Sequence, residues 1–446
     1  MDRVLIGDLQ EHVGKDVTIY GWVDSVRDHG KVAFVVLRDR SGYIQAVASN
    51  DYNTTVLPQA QTLREQCVVS LTGEVKERPE KMRREEMNGS LEFGIKEVRV
   101  LSEAGELPFA LSAELNLDTL LDYRPLTLRR ERERAIFKVQ HEILRAYRAF
   151  LIQEGFIEFQ APKLVGDDAE GGGNVFKIDY FNDKVAFLAT SPQLYKQMMV
   201  GVFERVFSIG NVFRAEKHST TRHLNEYTSL DAEFGFIQDH HDIMRLETRL
   251  MGHIVAHLES ECATEFALLG ATLPKTPEQF PHMKLREAQE LIYKETGKDV
   301  RDEPDLEPED ERWLSEYALT HFDSDFIFIT HYPAQKRPFY TYEDEADPGY
   351  TKSFDLLFRG VEITTGGQRI HRYETYIENI RRWGLKPENF AFYLQAFKYG
   401  MPPHGGWGMG LERLTQKLLS LRNVKEATLF PRDMNRIDTR LSDDDS

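Results

Sequence analysis

Arginines, acids and glycines recur in three short stretches of the chain at spacings that suit phosphate chemistry. In FSIGNVFRAEKHSTTRHLNEYTSLDAEFGF, two apolar stretches flank a polar excursion carrying Arg214, Glu216, Arg222 and His223, which reads as strand, loop, strand. Such a hairpin can lay a guanidinium on a phosphate oxygen through paired N–H donors while the second strand fixes its register. A structural salt-bridge network accounts for the same residues equally well. In SFDLLFRGVEITTGGQRIHRYE, a two-residue turn at Arg359 and Gly360 would pair Leu357 with Glu362 and leave Asp355 diagonal to it on one face. Carboxylates so placed repel unless a cation joins them, and hard oxygen ligands beside a polyphosphate suit magnesium. Two solvated acids on an exposed face are the alternative. In HGGWGMGLERLTQKLLSL, a strand with Gly405, Gly406, Gly408 and Gly410 runs into a helix that carries Arg413 in its first turn. The glycines imply close backbone approach, which tight strand packing alone also requires. Neither GxGxxG nor GxxxxGK[ST] occurs in a suitable context, so any nucleotide is held another way.

Positioning these residues takes a large folded chain. The 446 residues, at a usual domain size of about 150, suggest two or three domains, and 41% hydrophobic with 29% charged residues are ordinary globular proportions. No stretch approaches the roughly 18 consecutive apolar residues of a membrane span, and the opening MDRVLIGDLQEHVGKD meets acids too early for a signal peptide. A cytoplasmic protein with no membrane partner is expected. Cys67 and Cys262 are far apart in sequence, which excludes a disulfide framework and a thiolate metal site. The balance of 56 basic against 73 acidic residues, net -17, opposes non-specific adhesion to nucleic acid or anionic lipid but leaves room for a specific site. Local basic clusters at Lys76, Arg78, Lys81, Arg83 and Arg84, and at Arg129, Arg130, Arg132 and Arg134, read more readily as solvated faces than as docking surfaces.

Residues 16–101 read as five short strands with one helix near 57–66, a pattern that matches a Greek-key barrel of the oligonucleotide-binding (OB) kind. Periodicity then fades between Pro108 and Pro125. From Leu126 a long amphipathic helix is expected, with Gly155 as its stop, followed by FIEFQAPKL, the loop EGGGN, strands at FKIDYF and KVAFLA, and the helix SPQLYKQMMVGVF. The expected divisions are a barrel over 1–103, a connector over 104–128, a mixed helix-and-strand domain over 129–439 and an acidic tail over 440–446.

Taken together and in this order, the stretches resemble the signature motifs of class II aminoacyl-tRNA synthetases. FIEFQAPKL, with Pro162, looks like motif 1, the dimer-interface element; FRAE to DAEF looks like motif 2; GGWGMGLERL looks like motif 3. An N-terminal OB barrel marks the aspartate, asparagine and lysine subgroup. The resemblance covers nearly the whole chain and is nearest to aspartyl-tRNA synthetases of the compact archaeal and eukaryotic type, since there is no room for the domain inserted in the bacterial type. It implies an α+β fold, in which a five-stranded OB-fold barrel precedes a catalytic domain built on an antiparallel six- or seven-stranded sheet flanked by helices. It also implies a homodimer.

The reaction implied is activation of L-aspartate by ATP with Mg2+, followed by transfer of aspartate to the 3′ end of tRNA(Asp). By resemblance, Arg214 holds the α-phosphate, Arg222, His223 and Arg413 the outer phosphates, and Glu216 and Tyr227 the adenine, with Gly410 at the nucleotide. Tyr227 stands where many members have phenylalanine. Asp355 and Glu362 match the metal ligands, joined by Thr365, which replaces a common serine. Glu170 in EGGGN resembles a mobile-loop residue over the substrate ammonium, with Gln193 and Asp231 as its partners. Lys196 and Arg369 resemble the pair that reads the side-chain carboxylate, and two cations favour aspartate over asparagine. In the barrel Phe34, Arg38, Gln45 and Glu92 match anticodon contacts, although Phe34 also suits a buried core. His29 stands where specific relatives carry tryptophan and relaxed ones histidine, which implies that tRNA(Asn) is charged as well and that a tRNA-dependent amidotransferase acts downstream. The rival readings are an asparagine–tRNA ligase, a catalytically silent RNA-binding homologue, and an ammonia-dependent asparagine synthetase, whose kind lacks the barrel.

Overall fold

Period-two alternation builds the N-terminal part of the chain. Along β1 (Asp16–Asp28), β2 (Val32–Arg38) and β3 (Tyr43–Ser49), residues such as Ile19, Val23, Val35, Leu37 and Ile44 are buried while their sequence neighbours are more exposed. With β4 (Val68–Glu77) and β5 (Leu91–Ser102) these strands close a barrel in the order β1-β2-β3-β5-β4. The helix Val56–Gln61 buries Val56, Leu57 and Ala60 in the same core and ends sooner than the expected 66. The computed structural model describes residues 3–50, 54–83, 88–166 and 174–441. The chain divides into two compact units, Met1–Ala113 and Glu114–Ser446.

The second unit is built on an eight-stranded sheet. Its strands are β6 (Ile157–Glu158), β10 (Arg205–Phe213), β11 (Glu226–Gly235), β12 (His282–Lys284), β13 (Phe326–Thr330), β14 (Ser353–Phe358), β15 (Val361–Arg369) and β16 (His404–Gly410), in the order β12-β13-β14-β15-β16-β11-β10-β6. A separate small sheet joins β7 (Leu164–Val165), β8 (Lys177–Tyr180) and β9 (Lys184–Leu188). The six central strands of the large sheet are antiparallel, but β12 and β6 add to its two edges in parallel. The sheet is thus wider than the expected six or seven strands and mixed at its rims. Both extra strands are only two or three residues long, the kind of short edge that limits further pairing.

The long helix also departs from expectation, running over Glu131–Gln153 with Arg130 extended at its N-cap. The preceding turn, Arg124–Thr127, is a separate piece because the buried Arg124 guanidinium donates to the carbonyls of Leu429 and Thr428 at 2.8 and 2.7 Å. Gly155, at φ +83°, follows the helix as its stop.

Alternation across the sheet separates core from site. Leu230 on β11, Trp407 and Met409 on β16, and Phe354, Leu356 and Phe358 on β14 pack beneath the helices Glu131–Gln153 and His240–Glu261. Their neighbours Ser229, Asp231 and Glu233, with Gly406, Gly408 and Gly410, fall on the opposite face. Gly406 has no room for a side chain, since a Cβ there would sit 1.9 Å from the Ala232 carbonyl oxygen. Among the described residues, no helix is long and apolar enough to cross a membrane.

Candidate active site

The polar face of the large sheet floors a cavity of about 420 Å3. A β-bulge decides which residues of β15 reach it. Leu357 pairs with Glu362 across a turn whose Arg359 and Gly360 both have positive φ, but Ile363 is then skipped, so that Leu356 opposes Thr364 and Asp355 opposes Thr365. Without that extra residue, Glu362 would share its face with Thr364 and Gln368. With it, Glu362, Thr365 and Arg369 project together, and Thr365 Oγ1 donates to Glu362 Oε1 at 2.7 Å. Asp355 stays on the Glu362 face, displaced one position by the bulge.

One lobe of the cavity is cationic. Arg214 follows β10, Tyr227 lies near the start of β11, and the guanidinium sits 6.0 Å from the tyrosine ring. Between them, residues 214–225 bring Glu216, Arg222 and His223 to the wall. His223 Nδ1 lies 2.7 Å from Thr220 Oγ1, and burial, then the nearby Arg413, pushes its pKa down toward the neutral ring. Arg413, in the first turn of the helix Leu411–Leu418, donates through Nη1 to the Glu362 carbonyl oxygen at 3.0 Å and lies beside Gly410 at the wall. Arg222 is ion-paired with Glu311 of the helix Pro308–Phe322, whose carboxyl burial pushes up to about 7 against the pull of that arginine.

The acids Asp355 and Glu362 have unequal surroundings. Arg337 donates to Asp355 Oδ2 at 2.6 Å, while the buried Oδ1 accepts no hydrogen bond among the described residues. Burial raises the Asp355 pKa, with repulsion from Glu362 adding to it against the pull of Arg337. Burial acts on Glu362 in the same sense, but Arg413 and the Thr365 hydroxyl outweigh it and hold that carboxyl below its usual range. A buried oxygen without a donor beside a second carboxylate is a donor set that fits a hard divalent cation.

The other lobe is a buried charge network. Lys196 Nζ, on the helix Gln193–Phe203, donates to Asp231 Oδ1 at 2.9 Å and to the Trp407 carbonyl at 2.7 Å, with Glu233 Oε2 3.3 Å away. Arg369 donates through Nε to Glu233 Oε1 at 3.0 Å and through Nη2 to the Gly406 carbonyl at 3.0 Å, near Gln193 Oε1. Ser229 Oγ takes the second oxygen of Asp231. Burial pushes the Glu233 carboxyl up, yet Arg369 and Lys196 together hold it below its usual value. The two cations therefore meet an internal acid that sequence reasoning did not single out. Its signal was available, since in DAEF Glu233 lies two residues from Asp231 on the same face of a strand. Arg337 and Glu311 had no such signal, one in a loop and the other on a helix remote in sequence. Glu170 lies outside the described residues. Pro162 is exposed between β6 and β7.

On the barrel, Phe34 alternates with the buried Ala33 and Val35 and is half-exposed, not part of the core. Its partner across β3 is Val47, and Gln45 opposes Val36, so Phe34 and Gln45 share the outer face, with Glu92 on the adjoining β5. The exposed His29 ring stands edge-on to Phe34 with centroids 5.7 Å apart. Arg38 is instead buried, its guanidinium 5.1 Å from the Trp22 ring.

Comparison with known proteins agrees with this architecture. Residues 17–101 match the OB-fold nucleic acid binding domain, and residues 116–434 match the family described as tRNA synthetases class II (D, K and N). The chain is 48% identical over 439 residues to the aspartate–tRNA(Asp/Asn) ligase of Thermus thermophilus, covering 98% of this chain and 99% of that protein. It is 40% identical over 436 residues to the aspartate–tRNA(Asp) ligase of Pyrococcus abyssi, covering 96% and 97%. Among solved structures, asparaginyl-tRNA synthetase from Pyrococcus horikoshii complexed with asparaginyl-adenylate is similar with a TM-score of 0.90 at 32% identity, covering 98% of this chain and 99% of that one. With a matched catalytic domain, a matched barrel and relatives aligned nearly end to end, the chain belongs to the class II tRNA synthetases of the aspartate, lysine and asparagine group.

Proposed function

We propose that this synthetase is an aspartate–tRNA ligase that activates L-aspartate with ATP and magnesium, then esterifies the 3′ end of tRNA(Asp) and of tRNA(Asn). The observation that carries this reading is a single cavity in which the arginine-rich lobe of Arg214, Arg222 and Arg413 adjoins the buried network of Lys196 and Arg369. The first lobe suits a triphosphate and the second a small anionic amino acid.

In the reaction, an α-carboxylate oxygen of aspartate attacks the α-phosphorus of ATP, and the bond to the bridging oxygen breaks as pyrophosphate leaves. Catalysis then rests on alignment and on neutralising charge. Arg214 takes the α-phosphate, Arg222, His223 and Arg413 the outer phosphates, and Glu216 and Tyr227 the adenine. Asp355 and Glu362, with Thr365 steadying Glu362, would hold magnesium, which supplies charge neutralisation on the phosphate oxygens. Gln193, Asp231 and Glu170 receive the ammonium. Arg369 and Lys196 together address the side-chain carboxylate, with Lys196 Nζ also donating to Asp231 and Trp407 and lying 3.3 Å from Glu233 Oε2. Asparagine would turn its amide N–H groups toward these donors. The exposed apolar residues Ile152, Ile157 and Leu164, around Pro162, support a homodimer through this region. Light scattering that reads a monomer at micromolar concentration would sink that part.

The choice of tRNA is tested by charging purified tRNA(Asp) and tRNA(Asn) with labelled aspartate and, separately, asparagine at fixed salt and magnesium. Aspartate is expected on both. Aspartate on tRNA(Asp) alone would overturn the relaxed specificity that the exposed His29 supports, and asparagine on tRNA(Asn) would overturn the pocket assignment. Aspartyl-tRNA(Asn) would need a downstream amidotransferase.

Anticodon reading by the barrel gives a separable expectation. Phe34→Ala removes one stacking platform, worth about 1–3 kcal/mol per base. The KM for tRNA should rise roughly fivefold or more, by the same stacking figure, while tRNA-independent pyrophosphate exchange is unchanged. An unchanged KM for tRNA would remove Phe34 from the interface.

A further inference from the structure

Away from the active-site cavity, the start of the helix His240–Glu261 gathers an unusual set of imidazoles. His240 and His241 stack with ring centroids 4.2 Å apart, His241 meets His282 at 5.6 Å, and His240 meets His331 at 5.2 Å. None of these residues lines the cavity. One potential ligand atom from each of Asp239, His240 and His241 lies within 4.8 Å of the others.

Two simpler roles explain part of this. Asp239 caps the helix, accepting from the His241 backbone N–H at 2.8 Å, and also faces His241 Nδ1 at 3.1 Å. His331 is held by Thr330 Oγ1 and Asp344 Oδ2. Neither role accounts for His240. The residue is 2% exposed, and among the described residues neither of its ring nitrogens has a hydrogen-bond partner. Orphaning a buried donor or acceptor costs about 1–3 kcal/mol, so such groups ordinarily have a partner or mark a ligand site.

We propose that Asp239, His240 and His241 form a site for a borderline divalent transition metal, zinc by the chemistry of its ligands. Two imidazole nitrogens and one carboxylate oxygen are a zinc donor set, and the hard cations that prefer all-oxygen shells would not choose it. Ligand atoms around tetrahedral zinc stand about 3.3 Å apart, as follows from bonds of about 2.0–2.1 Å. Closing from 4.8 Å would draw on the side chains of Asp239 and His241, which are 40% and 39% exposed, around the buried His240. Solvent completes the fourth position, with His282 alongside. The metal would fasten the N-terminus of a helix that covers the back of the catalytic sheet.

The test is titration of chelator-treated protein with cobalt(II), in saturating magnesium so that oxygen-only sites are filled. The wild type should take up one cobalt per chain with the intense ligand-field absorption of a four-coordinate site, displaced by one equivalent of zinc. His240→Asn and His241→Asn should each weaken binding at least tenfold. If His240→Asn fails to fold, the half-exposed His241 variant decides alone, with its circular dichroism compared with the wild type. Absence of the absorption, or its survival at full strength in a folded His241→Asn protein, would overturn the site.

Discussion

Replacing Arg413 by alanine should lower aspartate-dependent pyrophosphate exchange by roughly 10²–10³-fold, the cost of deleting one preorganised donor to a developing oxyanion. The expectation rests on placement. Arg413 is anchored by the Glu362 carbonyl at 3.0 Å and remains 3.9 Å from the Glu362 carboxylate, so the strand that carries the proposed metal ligand also aims this guanidinium. Because pyrophosphate gains charge as it departs, the loss should fall on kcat more than on the KM for ATP. Arg413→Lys separates charge from shape, since lysine keeps the cation but not the planar fork. It should recover part of the rate and little of the paired N–H contact. Exchange at the wild-type rate in the alanine variant would remove Arg413 from the reaction.

The sequence disclosed this site unevenly, and the reasons are physical. Pairing of Leu357 with Glu362 followed from a two-residue turn, because Arg359 and Gly360 leave few ways for the strands to meet. The bulge at Ile363 was invisible, since one extra residue in a strand leaves no mark until register is known, yet it decides whether Arg369 or Gln368 enters the cavity. The motif arginines were legible by spacing alone. Their partners were not: Arg222 meets Glu311 and Asp355 meets Arg337 only through tertiary packing. The same limit applies to the fold. Alternation announced the barrel and the central strands, whereas β6 and β12 are too short to show any period. Arg130 breaks the expected helix because buried carbonyl contacts to Arg124 override a continuous helical pattern.

Glu233→Gln should have the largest effect on stability. Glu233 is fully buried against Arg369 at 3.0 Å and Lys196 at 3.3 Å, and both cations are themselves almost inaccessible. Glutamine keeps the shape but withdraws the charge that both need. Removing one partner of a buried pair costs about 3–5 kcal/mol, because desolvated charge is left behind. A lower urea midpoint should therefore appear, without a change in the core. Acid supplies the signature that separates this from simple misfit. Arg369 and Lys196 hold the folded-state pKa of Glu233 below 4.5, so the unfolded chain binds this proton more readily than the folded one. Its contribution is complete above pH 4.5 and is lost as pH falls through the lower folded value. The gap between wild type and variant should be widest near neutrality and narrow in acid. A gap that stays constant with pH would mean that packing, not charge, is what Glu233 provides. The same withdrawal frees Arg369 and Lys196 to bind any small anion, so selection of aspartate over asparagine and over other carboxylates should change together with stability. The acid that neutralises the pocket when it is empty thereby also limits which substrates can enter it.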